Sequence, residues 1–288
     1  MRRQVIPIAI AADVAAAVFF NPIPASALDQ HSSFISGYNG FDTSSTLTTT
    51  QLAQEGEFQY WAFYLGGSNY RGFAPDSNFL ETAFLDGYDL IPYWVGAQSP
   101  CATQSGLGHY STDPGTAYNQ GKNEADAAFL TSVNRGLGNK TNIIVYDHEP
   151  FNSSCAGVPD ARGLAKYFLS GWTSEIAHDA DYSSIYGAVL GSFAVDWASL
   201  SPVPDNAFLA GGQNVDSPFD PGNFSNGSFA FDQRHRQWDY NFSSEAVGVV
   251  DRDCANGLVL AQFQQGDLEP QGSSEGSGDA AEDPYCPH

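Results

Sequence analysis

The sequence predicts an α/β fold, a (β/α)8 TIM-type barrel that need not be regular, and three observations carry that reading. Strand-like apolar segments recur along the chain with helical stretches between them, the pattern of a parallel sheet covered by helices. One of them, Asn142 to Glu149, contains Ile143, Ile144, Val145 and Tyr146, a β-branched and aromatic run of the kind that parallel sheets bury on both faces. The chain is 288 residues long, and α/β barrels routinely occupy ~250 residues as a single domain.

Taken in order, the first strand is expected at Ile35 to Asp42 and the first helix at Leu47 to Glu55. Tyr60 to Leu65 is an aromatic-rich strand closed by Gly66 and Gly67, and Asn78 to Asp86 is the helix after it. The third strand, Asp89 to Val95, precedes the clearest helix, Thr116 to Leu137. There Ala117, Gly121, Ala125, Ala128 and Phe129 form a largely small-residue stripe suited to close packing on a sheet. Asn142 to Glu149 is the central strand and Asp160 to His178 its helix. Ile185 to Leu190, Ala207 to Ala210 and Arg236 to Tyr240 complete seven strands, with a short eighth expected near Phe193 to Trp197.

Residues outside the barrel are also marked. Arg2 and Arg3, an apolar stretch from Val5 to Phe20 and the small-residue site Ala25-Ser26-Ala27 have the order of a secretory signal peptide over residues 1–27. The barrel domain is expected over 28–265, and the Gly, Ser and acid-rich residues 266–288 bury too little to offset their ordering entropy. Beyond the signal no segment reaches ~18 uninterrupted apolar residues, so no membrane span is expected. Four cysteines fit an oxidising compartment and lack a CxxC spacing. Three pairings are open. Cys101 with Cys155 and Cys254 with Cys286 are favoured, because the first two each follow an expected strand by a short loop.

The charge excludes several functions. With 33 acidic against 11 basic residues the formal charge is -22, which argues against nucleic acid or another polyanion and leaves a neutral ligand open. Neither a GxGxxG nor a P-loop spacing is present, so no cofactor is expected. Serine-hydrolase and zinc-protease readings lack GxSxG and HExxH, and no metal is expected.

The chemistry is expected at the C-terminal ends of the strands, the functional face of a parallel barrel. Side chains alternate along a strand, so Asp147 and Glu149 point one way and His148 the other, toward the helices. Asp42 ends the first strand, and Gln237 and Trp238 lie on the last. Paired carboxylates are the machinery of glycoside hydrolysis: one protonated acid assists the leaving oxygen and a second carboxylate activates water, attacks or steadies the cationic transition state. Glu149, on the longer side chain beside Asp147, is the expected proton donor. Tyr93 and Trp94 are candidates to stack on a sugar, although aromatics at such positions commonly serve the core. Arg71 is a candidate partner for a pocket carboxylate or a surface charge. Asp251 and Asp253 repeat the two-residue spacing, yet beside Cys254 and Gly257 a loop-capping role is expected.

GFDTS, YLGGSNYRG, LIPYWVGAQSPC, GTAYNQGKNEADAA, IIVYDHEPFNSSC, RHRQWDYN and VVDRDCANG, in that order, resemble the secreted glycoside-hydrolase-like domain of unknown function found mainly in actinobacteria. The resemblance runs from about Gly37 to Gly257 and includes both cysteines of the first expected disulfide. That family is similar in turn to the family-25 lysozymes, barrels that cleave the peptidoglycan glycan strand with a GxD motif on the first strand and a DxE motif on a central one. The matching residues are Gly40-Phe41-Asp42 and Asp147-His148-Glu149, and Gln237-Trp238 with Asp251-Arg252-Asp253 look like the closing strand and loop. The resemblance implies Glu149 as general acid, with Asp147 and Asp42 stabilising charge or positioning the reacting groups. The expected function is a secreted, monomeric glycosidase acting on a polysaccharide, peptidoglycan or another wall glycan. The alternative is a glycan-binding wall protein that keeps the barrel and cleft without catalysis.

Overall fold

The apolar run at the chain's centre becomes β4 (Ile143–Asp147), buried along its whole length. It sits in a closed barrel of eight strands in a computed structural model that describes residues 30–137, 142–179, 181–211, 224–230 and 233–262. The elements run β1 (Gln30–Asp42), α1 (Thr49–Gln54), β2 (Tyr60–Gly66), α2 (Ser77–Leu85), β3 (Asp89–Trp94), α3 (Pro114–Asn134), β4 and α4 (Ala161–His178). They continue with β5 (Tyr182–Ala188), a 3-10 helix (Ala194–Ser199), β6 (Asn206–Ala210), β7 (Arg234–Ser244) and β8 (Gly248–Gln262). The signal-like segment, the acidic tail and Cys286 lie outside the described residues.

Strands β1 to β7 are parallel neighbours, and β8 runs antiparallel to both β7 and β1. A short turn at 245–247, ending at Gly248 with a φ of 82°, joins β7 to β8, and so short a link can only reverse the chain. The barrel is therefore closed but irregular. The expected eighth strand at Phe193 to Trp197 is corrected: Phe193 is left-handed at φ 52° and the residues after it form the 3-10 helix, with Asp196 bound to Arg162 of α4 at 2.6 and 2.8 Å. The true eighth strand includes Asp251 and Asp253, which the sequence reading assigned to a loop.

Parity sorts the barrel's two faces. Trp61 meets Phe79 of α2 and Tyr146 meets Phe168 and Trp172 of α4, so these side chains face the helices. Inside, Tyr93, Tyr186 and Phe208 lie with ring centroids 5.3 to 5.5 Å apart, and His235 and Tyr60 extend the layer. Gly40 admits this layer, because a Cβ there would lie 2.2 Å from the Tyr60 ring. Outside, the small-residue stripe of α3 makes its closest approach to α4 and not to the sheet. A Cβ on Gly121 would lie 2.0 Å from the Phe168 carbonyl oxygen, and one on Gly171 2.0 Å from that of Tyr118. Two helix backbones touch there, which only glycine allows. Part of the acidity serves helix starts: Asp76, Asp113 and Asp160 each accept a backbone N–H in the first turn of α2, α3 and α4.

Candidate active site

At the C-terminal end of the parallel strands, Asp42 closes β1 and Asp147 closes β4, both buried. Glu149 lies two residues further, half-buried. Because β8 is antiparallel, its first residues reach this same end. Asp251 is in register with Asp42, and Asp253 with Gly40 on one side and Gln237 on the other. Gln237 of β7 ties the group together: its Nε2 donates to Asp42 Oδ2 at 2.6 Å and to Asp251 Oδ2 at 3.1 Å. Tyr186 Oη donates to Gln237 Oε1 at 2.7 Å, which fixes the amide's orientation. The second oxygen of Asp251 accepts the Asn241 backbone N–H at 2.7 Å.

Five carboxyls thus share one mouth, and among the described residues none of them makes an ion pair. Burial and mutual repulsion must then retain protons. Burial first, and the charge of Asp251 second, push the Asp42 carboxyl up to about 8, against the opposing bond from Gln237. Asp147 is raised well above the ordinary carboxylate range by burial, then by Glu149 and Asp42. Burial raises Glu149 as well. Asp253 has no hydrogen-bond partner on either oxygen among the described residues and is raised well above the ordinary range by burial, then by Asp42 and Asp251. Asp251 is raised by burial, with the Asn241 N–H opposing and Asp239 adding. The Tyr64 ring stands among these acids: burial raises its phenol, and the charges of Asp42, Asp147 and Glu149 raise it further.

Of the candidates, Asp42, Asp147, Glu149 and Gln237 lie together at this end of the barrel, while Trp94, Arg71 and Trp238 lie apart from them. Tyr93 points inward within the aromatic layer, fully buried, and its phenol is raised by burial and then by the charges of Asp253 and Asp42. Trp94 faces the helices and donates from Nε1 to Glu124 of α3 at 2.6 Å. Arg71 donates to the Ser68 and Tyr70 carbonyls of its own loop at 2.8 and 2.7 Å. Trp238 lies on the outer side, under the Arg252 guanidinium at 4.6 Å. His148 faces outward as expected; it is fully buried among Tyr110, Tyr146 and Phe151, and burial holds it neutral with a value pushed down to about 3. The sequence reading missed Tyr64 and Tyr186, and gave Asp251 and Asp253 a structural role despite their two-residue spacing.

The expected Cys101–Cys155 disulfide is present, with Cα atoms 5.6 Å apart. The other expected pairing, Cys254 with Cys286, involves a residue outside the described ones. Among the described residues no group of three or more His, Cys, Asp or Glu side chains could hold a metal ion, and no helix is long and apolar enough to cross a membrane.

The fold has relatives of known structure. An uncharacterised protein of B. stearothermophilus superposes with a TM-score of 0.52 at 14% identity, over 76% of this chain and 96% of its own. The spore cortex lytic enzyme SleM of Clostridium perfringens superposes with a TM-score of 0.51 at 14% identity, over 76% of this chain and 67% of its own. A bacterial lysozyme from Streptomyces coelicolor is 18% identical over 77% of this chain and 93% of its own, with a TM-score of 0.46. At these identities the likeness is one of fold alone. No protein-family model and no curated protein sequence matches the chain.

Proposed function

We propose that the protein is a secreted glycoside hydrolase acting on a cell-wall or extracellular polysaccharide, with peptidoglycan the first substrate to test. The observation that carries the reading is the pairing of one accessible carboxyl, Glu149, with the buried Asp147 and Asp42 around a single mouth. The barrel shared with a spore cortex lytic enzyme and the sequence resemblance to family-25 lysozymes and their secreted relatives support it.

Glu149 reaches the leaving group because it alone of the three is half-exposed, and burial keeps it protonated above the ordinary carboxylate range. Its proton passes to the glycosidic oxygen as the bond to the anomeric carbon breaks. Positive charge then develops at that carbon, where Asp42 and Asp147 stabilise it in the fraction of molecules that have already lost these protons to solvent, since burial holds both carboxyls above the ordinary range. Water adds to the carbon and returns its proton to the carboxylates. Sugar hydroxyls are donors, so a neutral glycan satisfies the acids of the mouth without bringing like charge.

Purified mature protein is expected to release reducing sugar from peptidoglycan or another glycan in a wall panel. Glu149→Gln is expected to lower that release by about 1000-fold with the fold unchanged by circular dichroism. The rate falls as pH rises through the raised value of Glu149, since the acid must be protonated to act. An active Glu149→Gln variant rejects the assignment, and glycan binding without any product favours the non-catalytic alternative.

A further inference from the structure

The strand ladder stops short of the acids. Strands β3 and β4 pair last at Trp94 and Tyr146, so the Asp147 carbonyl and the Glu149 N–H have no β3 partner in a buried region, where unpaired backbone groups are costly. The Gln98 side chain takes the place of the missing strand. Its Nε2 donates to the Asp147 carbonyl at 2.7 Å and to that of Gly96 at 3.2 Å, while its Oε1 accepts the Glu149 N–H at 2.9 Å. A carboxamide has the donor and acceptor of a peptide group, and here it is used as one.

Gln98 is itself fixed. It is fully buried, its N–H donates to the Gly108 carbonyl at 2.9 Å, and its carbonyl accepts from Tyr110 at 3.0 Å. Further along, the same loop is laced to the residues after Glu149. Thr103 donates from its backbone and its hydroxyl to the Pro150 carbonyl, and Asn152 N–H donates to the Cys101 carbonyl. The Cys101–Cys155 disulfide closes this lacing covalently.

We infer that Gln98 is the positioning residue of Glu149, and that the Cys101–Cys155 disulfide holds the loop from which it acts; the assignment rests on the proposed glycosidase reading. Gln98→Met keeps the length of the side chain and loses all three bonds. It is expected to lower kcat on the glycan by about 100-fold, the scale of a misplacement of about 1 Å, with KM changed less than about twofold. Gln98→Glu supplies a donor and an acceptor only while protonated, so its kcat relative to the parent protein rises as pH falls, whereas the ratio for Gln98→Met stays level. Joint Cys101→Ser and Cys155→Ser substitution is expected to give the same pattern at about tenfold in kcat.

An unchanged kcat in Gln98→Met, a loss confined to KM, or a common pH profile for the two Gln98 variants overturns the inference. A crystal structure of Gln98→Met separates it from the glycosidase reading. A displaced Glu149 backbone supports the positioning role even where the parent protein hydrolyses nothing, and an undisplaced one rejects it. Should Gln98→Met not fold, the pH dependence of Gln98→Glu decides.

Discussion

On the β4 side of the mouth, Asp147 and Glu149 are held through their backbone by Gln98, whereas on the β1 and β8 side Asp42 and Asp251 are held through their carboxylates by Gln237. The chemical consequence differs. A backbone clamp leaves the carboxyls without a donor that would favour ionisation, and Asp147 Oδ1 has no hydrogen-bond partner among the described residues. A carboxamide N–H aimed at a carboxylate stabilises its charge, and Gln237 pulls Asp42 back toward the ordinary range against burial and Asp251. The two sides therefore differ in what sets their carboxyls: burial and repulsion retain protons on both, and on the β1 side alone a carboxamide donor opposes them.

The largest test of that difference is Asp147→Asn, which removes the buried acid beside the proton donor. It is expected to lower kcat by about 1000-fold in a reducing-sugar assay, with the loss in kcat exceeding any change in KM. A loss below tenfold would place the essential charge on the β1 side alone. Gln237→Met comes next, at about 30-fold in kcat. Without its N–H donor Asp42 rises further, so the acidic limb of the kcat/KM profile, which reports an ionised partner, moves to higher pH. An acidic limb at the parent position would show that Gln237 does not set Asp42.

A smaller effect is expected on stability. The folded protein binds a proton at Asp42 up to about 8, while its ordinary value is 3.8. The stability this proton lends is fully present below the ordinary value and is lost as pH rises through the folded one. Melting temperature is expected to fall between pH 4 and pH 8. Asp42→Asn, whose side-chain oxygen still accepts from Gln237, is expected to gain about 2 kcal/mol over the parent at pH 8, roughly 4–8 °C in Tm, and little at pH 4. Equal gains at the two pH values would count against proton retention at this position.

How much of this was legible follows from what each strand exposes to a local reading. Ile143 to Tyr146 is a buried run and Tyr60 to Leu65 is nearly so, and their strands and parities, with the acids that follow the first of them, are read from residue type alone. Strand β8 does not, because its inward positions at the mouth are Asp251 and Asp253 and its outward ones include Arg252, with Asn256 and Gly257 following, a composition shared with turns. Phe193 to Trp197 errs the other way: its apolar residues suggest a strand, but a left-handed Phe193 and the Arg162 contact of Asp196 draw it into a helical turn. Trp94 and Trp238 were separable by parity, since each neighbours an inward residue, Tyr93 and Gln237. Gln98 has no local signature, because its role exists only where the β3–β4 ladder ends.

Arg71 offers the smallest expected effect and the sharpest limit on the comparison. Its guanidinium is exposed and satisfies two carbonyls of its own loop, at Ser68 and Tyr70, while Gln98 and Gln237 are buried and reach the acids themselves. If neutral amides rather than a cation organise the mouth, Arg71→Ala should change kcat and KM by less than about twofold and leave the pH profile in place. A surface charge bound to its own loop supplies little energy to carboxyls it does not touch. A tenfold rise in KM would instead make Arg71 a substrate contact, and a shifted pH profile would mean that its charge reaches the acids. Either outcome would end the claim that the two glutamines alone distinguish the two sides.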